Sequence, residues 1–408
     1  MIVPPHLTAS GGARAGLRLS EALAEHCDIT VAAMSAIDSG RSGAARRIAV
    51  KTWLPTAVRG LPLRYRSLFY ASDIPQIVRR GAYDLVHLHN PMPALEMARV
   101  ARACILSKIP YVVSTHGFNE LANGDTAYGL GRLRRRAWQV CVRRPITQVV
   151  SKAAGVFALS PADIDIVKSF GFTGTPTIVP NGVEPPARAD ACADLLTYRR
   201  FGIPSREEFQ GLTCMFLGNH TPNKGVSVLL EAFSDLKSPY LLIVGGERRP
   251  VIDYDKLART SRPEQRIIIT GRLSDGEVGS LLRRSDLFVF PTLADTFPLV
   301  VLEAMAHGVP VLASDVGGIP HQIDPDCGQL VPPGDPAALR LAVGRLARDR
   351  SRLREMGARA RERASTQFTW SEAAQAALRG YIRTCRGDAA ALSSTQRRLS
   401  SNISQGSH

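Results

Sequence analysis

Short apolar runs alternate with longer amphipathic stretches along most of the chain. "DITVAAM", "LVHLH", "YVVSTH", "GVFALS" and "PTIVP" have the length and β-branched content of strands. "AGLRLSEALAEH" and "MPALEMARVARACILSK" repeat their apolar positions at helical spacing. Strand and helix in alternation predict a parallel α/β sheet. After "VPNGVEPPARAD", whose Pro, Gly and Asn read as a turn and linker, the rhythm restarts with "LTCMFLG", "GVSVLLEAFSDL", "YLLIVGG", "RIIITG", "DLFVFP" and "PVLAS". Two doubly wound domains in tandem are predicted, joined near residues 181 to 190. The opening "MIVPPH" offers two apolar residues before Pro4, where a central strand holds about five. That shortness predicts that the natural chain starts upstream. "FTWSEAAQAALRGYIRTC" predicts a last helix, and the Ser-rich "GDAAALSSTQRRLSSNISQGSH" a disordered tail.

The 408 residues, 45% of them hydrophobic, are enough for two or three cores. No run approaches the ~18 apolar residues of a membrane span, and no charged-then-apolar leader opens the sequence. The expected location is the cytoplasm. Seven scattered cysteines with no CxxC predict reduced thiols and no metal cluster. The formal net charge is +15, and residues 1 to 182 carry +11 of it, with 22 Lys+Arg against 11 Asp+Glu. One basic lobe that meets a phosphate-rich partner is the simplest source of such asymmetry.

In open α/β sheets ligands bind beyond the carboxyl ends of the strands, so the loops there carry the candidate chemistry. "TASGGARAG" brings Gly11 and Gly12 to a helix start, where backbone amides could approach a phosphate. "STHGFNE" puts His116 at a strand end, as a hydrogen-bond donor to substrate or as a cap on the next element. His87 and His89 in "VHLHN" read as structural. "FLGNHTPNKGVSVLLEAF" sets Lys224 at a helix start, where a cation suits a diphosphate.

"DLFVFPTLADTFPLVVLEAMAHGVPVLASDVGG" is the richest segment. It predicts a strand Leu287 to Phe290, a loop with Asp295, and a helix Leu299 to His307 with Pro298 at its first position. Gly308 and Pro310 would end that helix. Glu303 stands among Val300, Val301, Leu302, Ala304 and Met305, where an unpartnered carboxylate would be costly to bury. The residues alone leave equally open an i,i+4 pair between Glu303 and His307 at a solvated edge.

The block "DTFPLVVLEAMAHGVPVLASDVGGIP" resembles the signature of family 4 retaining glycosyltransferases of the GT-B fold, in which two acidic residues are separated by seven. "SGGAR", "STHG", "VPNGV", "PNKG", "TGRLS" and "LVPPGD" follow the family's order over roughly residues 1 to 385. The resemblance implies an α/β GT-B chain of two Rossmann-like domains facing each other across a cleft. Residues 1-182 would bind the acceptor and 183-370 the nucleotide sugar. Residues 371-386 would form a helix returning to the first domain, and 387-408 the disordered tail. It implies transfer of a sugar from a nucleotide-diphosphate donor with retention of configuration, with no cofactor and no metal.

By position, Glu303 would bind the donor ribose and Asp295 the transferred sugar. Lys224 would neutralise the diphosphate, helped by the amides of Leu299 and Val300, with Phe297 alongside. Gly11 and Gly12 would pass near the phosphates, His116 would lie near the anomeric carbon, and Arg272 with Leu273 would face the base. Asn219 stands where the family commonly has Arg, which leaves Arg248, Arg249 or Arg272 to supply a second cation. Asp295 is one methylene shorter than the usual Glu, Pro298 removes an amide often offered by glycine, and His321 replaces a frequent Glu. Donor-sugar preference is what these departures put in question.

On the acceptor side, "GRLRRRAWQVCVRR" and "RGLPLRYRSLFYASDIPQIVRR" mix arginines with aromatic residues. That composition suits an anionic membrane surface and a lipid-linked or glycan acceptor at the inner face of the plasma membrane; a solvated arginine-rich helix fits it as well. A soluble small-molecule acceptor is the alternative within the same chemistry. A nicotinamide oxidoreductase would need a full GxGxxG, which is missing. A nucleic-acid binder would need a motif to accompany the charge, and none is present.

Overall fold

The apolar runs form two parallel sheets in a computed structural model, which describes residues 1–3, 11–33, 40–42, 44–60, 67–116, 118, 131–249, 252, 254 and 262–403, with the backbone alone for 40–42, 57, 67 and 387–403. Residues 8–10 and 117 of the two glycine-containing loops, 61–66 of the basic segment and 404–408 of the tail lie outside them. The chain divides into Met1–Pro180 with Trp370–His408, and Asn181–Thr369.

The strands of the first unit are β1 (Ile2–Val3), β2 (Thr30–Val31), β3 (Gly40–Ser42), β4 (Ala45–Arg47), β5 (Thr52–Trp53), β6 (Ala71–Ser72), β7 (Val86–Leu88), β8 (Tyr111–Ser114), β9 (Gly155–Ala158) and β10 (Thr177–Ile178). Eight of them make one sheet in the order β10-β9-β8-β7-β1-β2-β4-β3, parallel except for β3 against β4, while β5 and β6 pair separately. Helix α1 (Gly11–Leu23) follows β1, and α2 (Arg132–Trp138) lies between β8 and β9.

The chain returns to this unit at the end as α7 (Trp370–Ile403). Ala373, Ala374, Ala376 and Ala377 of α7 are buried with Leu19 and Leu23 of α1 and with Val112 and Phe157 of the sheet. Small alanines let the helix approach the sheet closely. The tail expected to be disordered from 387 instead continues α7 to Ile403. Its Ser-rich content masked a run that is free of proline and holds Ala389, Ala390, Ala391, Leu392, Arg397, Arg398 and Leu399, all good helix formers.

The second unit holds β11 (Leu212–Leu217), β12 (Tyr240–Gly245), β13 (Gln265–Gly271), β14 (Leu287–Phe290), β15 (Val311–Ser314) and β16 (Gly328–Val331), all parallel, in the order β13-β12-β11-β14-β15-β16. Every residue of β12, β14 and β15 is buried, as helices on both faces of a parallel sheet require. The helices used below are α3 (Val226–Ser234), α4 (Asp275–Arg284), α5 (Leu299–Ala306) and α6 (Arg350–Gln367). Ser274 and Glu277 close a capping box on α4, and Asp349 caps α6. Among the described residues no helix is long and apolar enough to cross a membrane.

Candidate active site

In each sheet the order of the parallel strands reverses once, and the loops on either side of that point hold candidate residues. In the second sheet the reversal falls between β11 and β14. Neighbouring strands whose chains leave in opposite directions open a crevice at their carboxyl ends. Lys224 comes from the loop after β11 and Asp295 from the loop after β14, and Lys224 Nζ donates to Asp295 Oδ2 at 2.5 Å. Lys224 Nζ also lies 5.8 Å from the centroid of the Phe290 ring.

Backbone contacts lace the two loops together. The Asn223 carbonyl accepts from the Leu293 amide at 2.7 Å and from Thr292 Oγ1 at 2.9 Å. Gly225 has φ +71, and a Cβ there would fall 1.8 Å from the Pro291 carbonyl oxygen. From the other side Gly317, with φ +55, touches the Asp295 carbonyl, where a Cβ would stand 1.9 Å away, and the Gly318 amide donates to Thr296 at 2.7 Å. Only glycine permits both the conformation and the approach. The paired glycines after β15 thus hold the Asp295 loop down.

Lys224 sits in a 3-10 turn, Pro222–Lys224, ahead of α3 and not inside its first turn, because Gly225 in a left-handed conformation is the N-cap. Pro298 is likewise the N-cap of α5, not its first helical residue. Proline forces extended backbone on the residue before it and offers no side-chain cap. The N-terminus of α5 therefore has no side-chain cap, and Leu299 and Val300 stand half-buried in its first turn. Uncapped helical amides attract anions. The chain beneath is fixed by two distant amides: Asn181 Nδ2 donates to the Phe297 carbonyl and Gln322 Nε2 to the Pro298 carbonyl, each at 3.0 Å.

Phe297, a candidate donor contact, is only 4% exposed, and its ring packs edge to face on Phe368. An apolar ring beside Pro298 is better placed in the core. Glu303 is half-buried one turn into α5, and its carbonyl accepts from His307 Nδ1 at 2.8 Å. That bond ties His307 to the backbone of Glu303.

The remaining candidates of this unit lie further along the same edge. Asn219 is exposed, and its carbonyl accepts from the Thr221 amide at 2.7 Å. Arg272 and Leu273 follow β13 at the sheet border; Arg272 Nη2 donates to Glu247 Oε2 at 2.9 Å, and Leu273 packs over Gly245. The Arg272 hydrogen bond holds the Glu247 carboxyl below its usual range. Arg249 Nη2 shares the same oxygen at 3.3 Å, and Arg248 Nη2 donates to the Ile269 carbonyl at 3.3 Å. His220 and Tyr254 escaped the sequence reading. Buried His220 bonds the Tyr254 hydroxyl through Nδ1 at 2.7 Å and the Gly245 carbonyl through Nε2 at 3.3 Å, bracing the loops after β11 and β12.

In the first sheet the reversal falls between β1 and β7. Gly12 in the first turn of α1 abuts the loops after β7 and β8: a Cβ there would meet His116 Cβ at 3.5 Å and Asn90 Nδ2 at 3.7 Å. Gly11 faces open space. His116 is buried, and its ring lies 4.3 Å from that of His89. Burial lowers the His116 pKa from 6.5 to about 4, so the ring is neutral at neutral pH. His87 is structural, bonded to the Tyr381 hydroxyl of α7 and to Ser114 Oγ at 2.7 Å each.

Sequence comparison decides what this arrangement belongs to. A family described as "Glycosyltransferase Family 4" matches residues 9–186, and one described as "Glycosyl transferases group 1" matches residues 211–349. The chain is a glycosyltransferase, with a Family 4 domain ahead of a group 1 domain. This glycosyltransferase is 28% identical over 353 residues to a phosphatidyl-myo-inositol mannosyltransferase of Mycobacterium leprae, covering 82% of this chain and 84% of that one. Sucrose-phosphate synthase from Thermosynechococcus elongatus superposes with a TM-score of 0.70 at 18% identity, covering 94% and 98% of the two chains. Alr3699/HepE of Anabaena, in complex with UDP-glucose, does so with 0.68 at 16%, covering 92% and 96%. The glycosyltransferase shares the GT-B class of fold, two doubly wound parallel α/β units.

Proposed function

We propose that this glycosyltransferase moves a sugar, with retention of configuration and without a metal, from a nucleotide-diphosphate sugar to a lipid-linked or glycan acceptor. The observation that carries this reading is the Lys224–Asp295 pair at the β11/β14 switch point, beside the uncapped start of α5. As the bond from the anomeric carbon to the diphosphate breaks, negative charge grows on the leaving phosphate. A lysine and helix amides already aimed at that charge lower the barrier without reorganisation. Asp295 holds Lys224 in place before the donor arrives and contacts the sugar afterwards, and Glu303 binds the ribose hydroxyls. Attack on the same face, with a phosphate oxygen taking the acceptor proton, gives retention without a carboxylate nucleophile. The UDP-glucose bound to the HepE structure supports a nucleotide-sugar donor.

The acceptor meets the first unit. His116, neutral and next to Gly12, is suited to donate to an acceptor hydroxyl. The name of the mycobacterial relative supports an acceptor carried on lipid. Helix α2 supports a peripheral place on an anionic membrane: Arg132, Arg134, Arg135 and Arg136 are exposed on it, with Leu133 at 86% and Val140 at 50% just after it. Each such arginine contributes about 1 kcal/mol near an anionic surface. The test incubates the purified chain, in EDTA, with UDP-, GDP- or ADP-sugars and lipid extract, and reads product configuration by NMR. An inverted product, or activity that returns only with added divalent metal, would overturn the reading.

A further inference from the structure

A cavity of about 480 Å³ opens at the amino-terminal edge of the second sheet, the edge opposite the Lys224 and Asp295 loops. Its lining includes Arg206, Arg283, Asp286, His307, Arg350 and Arg354, which makes four guanidinium groups and one carboxylate. The carboxylate is fully engaged. Asp286 Oδ1 accepts from Arg206 at 2.9 Å, and Oδ2 accepts from Arg350 at 2.7 Å and from the Thr213 amide at 2.8 Å. Arg283 forks onto Asp194 at 2.9 and 2.5 Å.

Directly behind lies Arg284, 2% exposed, whose guanidinium donates to neutral acceptors: the carbonyls of Pro204, Ser205 and Phe209 and Thr213 Oγ1. Burial, and next the charge of Arg206, lower its pKa, so the cations crowd one another. Arg354 is exposed and has no ion-pair partner among the described residues. Four arginines thus line the cavity against Asp286, with Asp194 pairing Arg283 from outside the lining, which leaves an excess of two positive charges in a partly enclosed space. The C-terminal end of α5 reaches the cavity at His307 and contributes roughly half a negative charge. That is too little to reverse the sign, and Arg361 already donates to the His307 carbonyl at 2.9 Å.

We propose that this cavity binds a small phosphate-bearing anion, free phosphate or a phosphorylated sugar, at a site separate from the donor site. Guanidinium forks match phosphate oxygens in pairs, and a cleft with a net excess of positive charge concentrates anions. The volume suits a metabolite-sized ligand and is too small for a macromolecular segment.

Isothermal titration of the full chain with inorganic phosphate, and separately with glucose 6-phosphate, tests this. At least one probe is expected to bind with a Kd of about 1 mM or tighter. Lys224→Ala, which disables the donor site, leaves that affinity unchanged, and Arg354→Glu weakens it by at least about tenfold. Arg354→Gln, a milder change on an exposed face, gives the same direction should the reversal disturb α6. Tighter binding of the ester than of free phosphate assigns the site to a phosphorylated sugar; equal binding assigns it to the phosphate group alone. No saturable heat with either probe, or affinity lost in Lys224→Ala and kept in Arg354→Glu, overturns the proposal.

Discussion

Lys224 Nζ donates to Asp295 Oδ2 across 2.5 Å, although the two residues lie 71 positions apart in the chain. The pair is partly buried, with side-chain exposures of 22% and 16%, so its net contribution to stability is modest. Its value lies in aiming a cation. Lys224→Ala is expected to lower kcat/KM by about 10²–10³, the effect of removing one preorganised charge stabiliser. Asp295→Asn should lower kcat by less, since the amide can still contact sugar hydroxyls. Steady-state kinetics with the preferred donor, beside a melting curve for each variant, checks that activity falls while the fold persists.

Gly317 and Gly225 connect backbone conformation to the same pair. Gly317→Ala places a methyl 1.9 Å from the Asp295 carbonyl at a φ of +55. The strain is about 1–3 kcal/mol, relieved only if the Asp295 loop moves. A lower melting temperature together with a raised donor KM is the expected result. A variant with unaltered KM would show that the loop does not need this support.

Asn181 holds the chain ahead of α5 by its bond to the Phe297 carbonyl and is itself only 5% exposed. Asn181→Ala leaves a buried carbonyl without that donor, at a cost of about 1–3 kcal/mol. Chemical denaturation should register this as a lower midpoint with an unchanged slope.

Acid should weaken the first unit through its histidines. His116 and His87 have pKa values lowered by burial from 6.5 to about 4 and about 3, and His89 is lowered well below 6.5. The folded state binds fewer protons than the unfolded chain below pH 6.5, so stability is lost as pH falls toward 4, by up to about 1.4 kcal/mol per unit per histidine. Asp163 acts oppositely: burial raises it from 3.8 to about 6, and its contribution is lost as pH rises across that window. Glu96, raised from its usual range by burial, acts in the same sense as Asp163, and three histidines outweigh the two carboxylates. Melting temperature should drop from pH 6.5 to 4.5, and His116→Asn should flatten the slope.

The apolar runs made the two parallel sheets legible, because strands covered on both faces show continuous hydrophobic sequence, as "YLLIVGG" does for β12. Lys224 and Asp295 were legible as residues of loops that follow predicted strands, whereas the adjacency of β11 and β14 that brings them together is a property of the folded sheet. What the sequence did not disclose lies in long-range contacts. Nothing in the letters tells that Asn181 and Gln322 grip the carbonyls before α5, or that the His89 ring lies tilted against that of His116. An aromatic residue in a loop can turn either way, and the packing of Phe297 against Phe368 was not legible in the letters. The tail misled because composition alone does not separate a solvated helix from a coil.

The start of α5 with Lys224, Asp295 and Glu303 is the proposed site for a nucleoside diphosphate. Calorimetric titration of UDP, GDP and ADP into wild type, Lys224→Ala and Glu303→Ala measures that binding directly. The expected result is micromolar binding of one nucleotide, weakened by about tenfold or more in both variants. Equal affinity in all three proteins would contradict it.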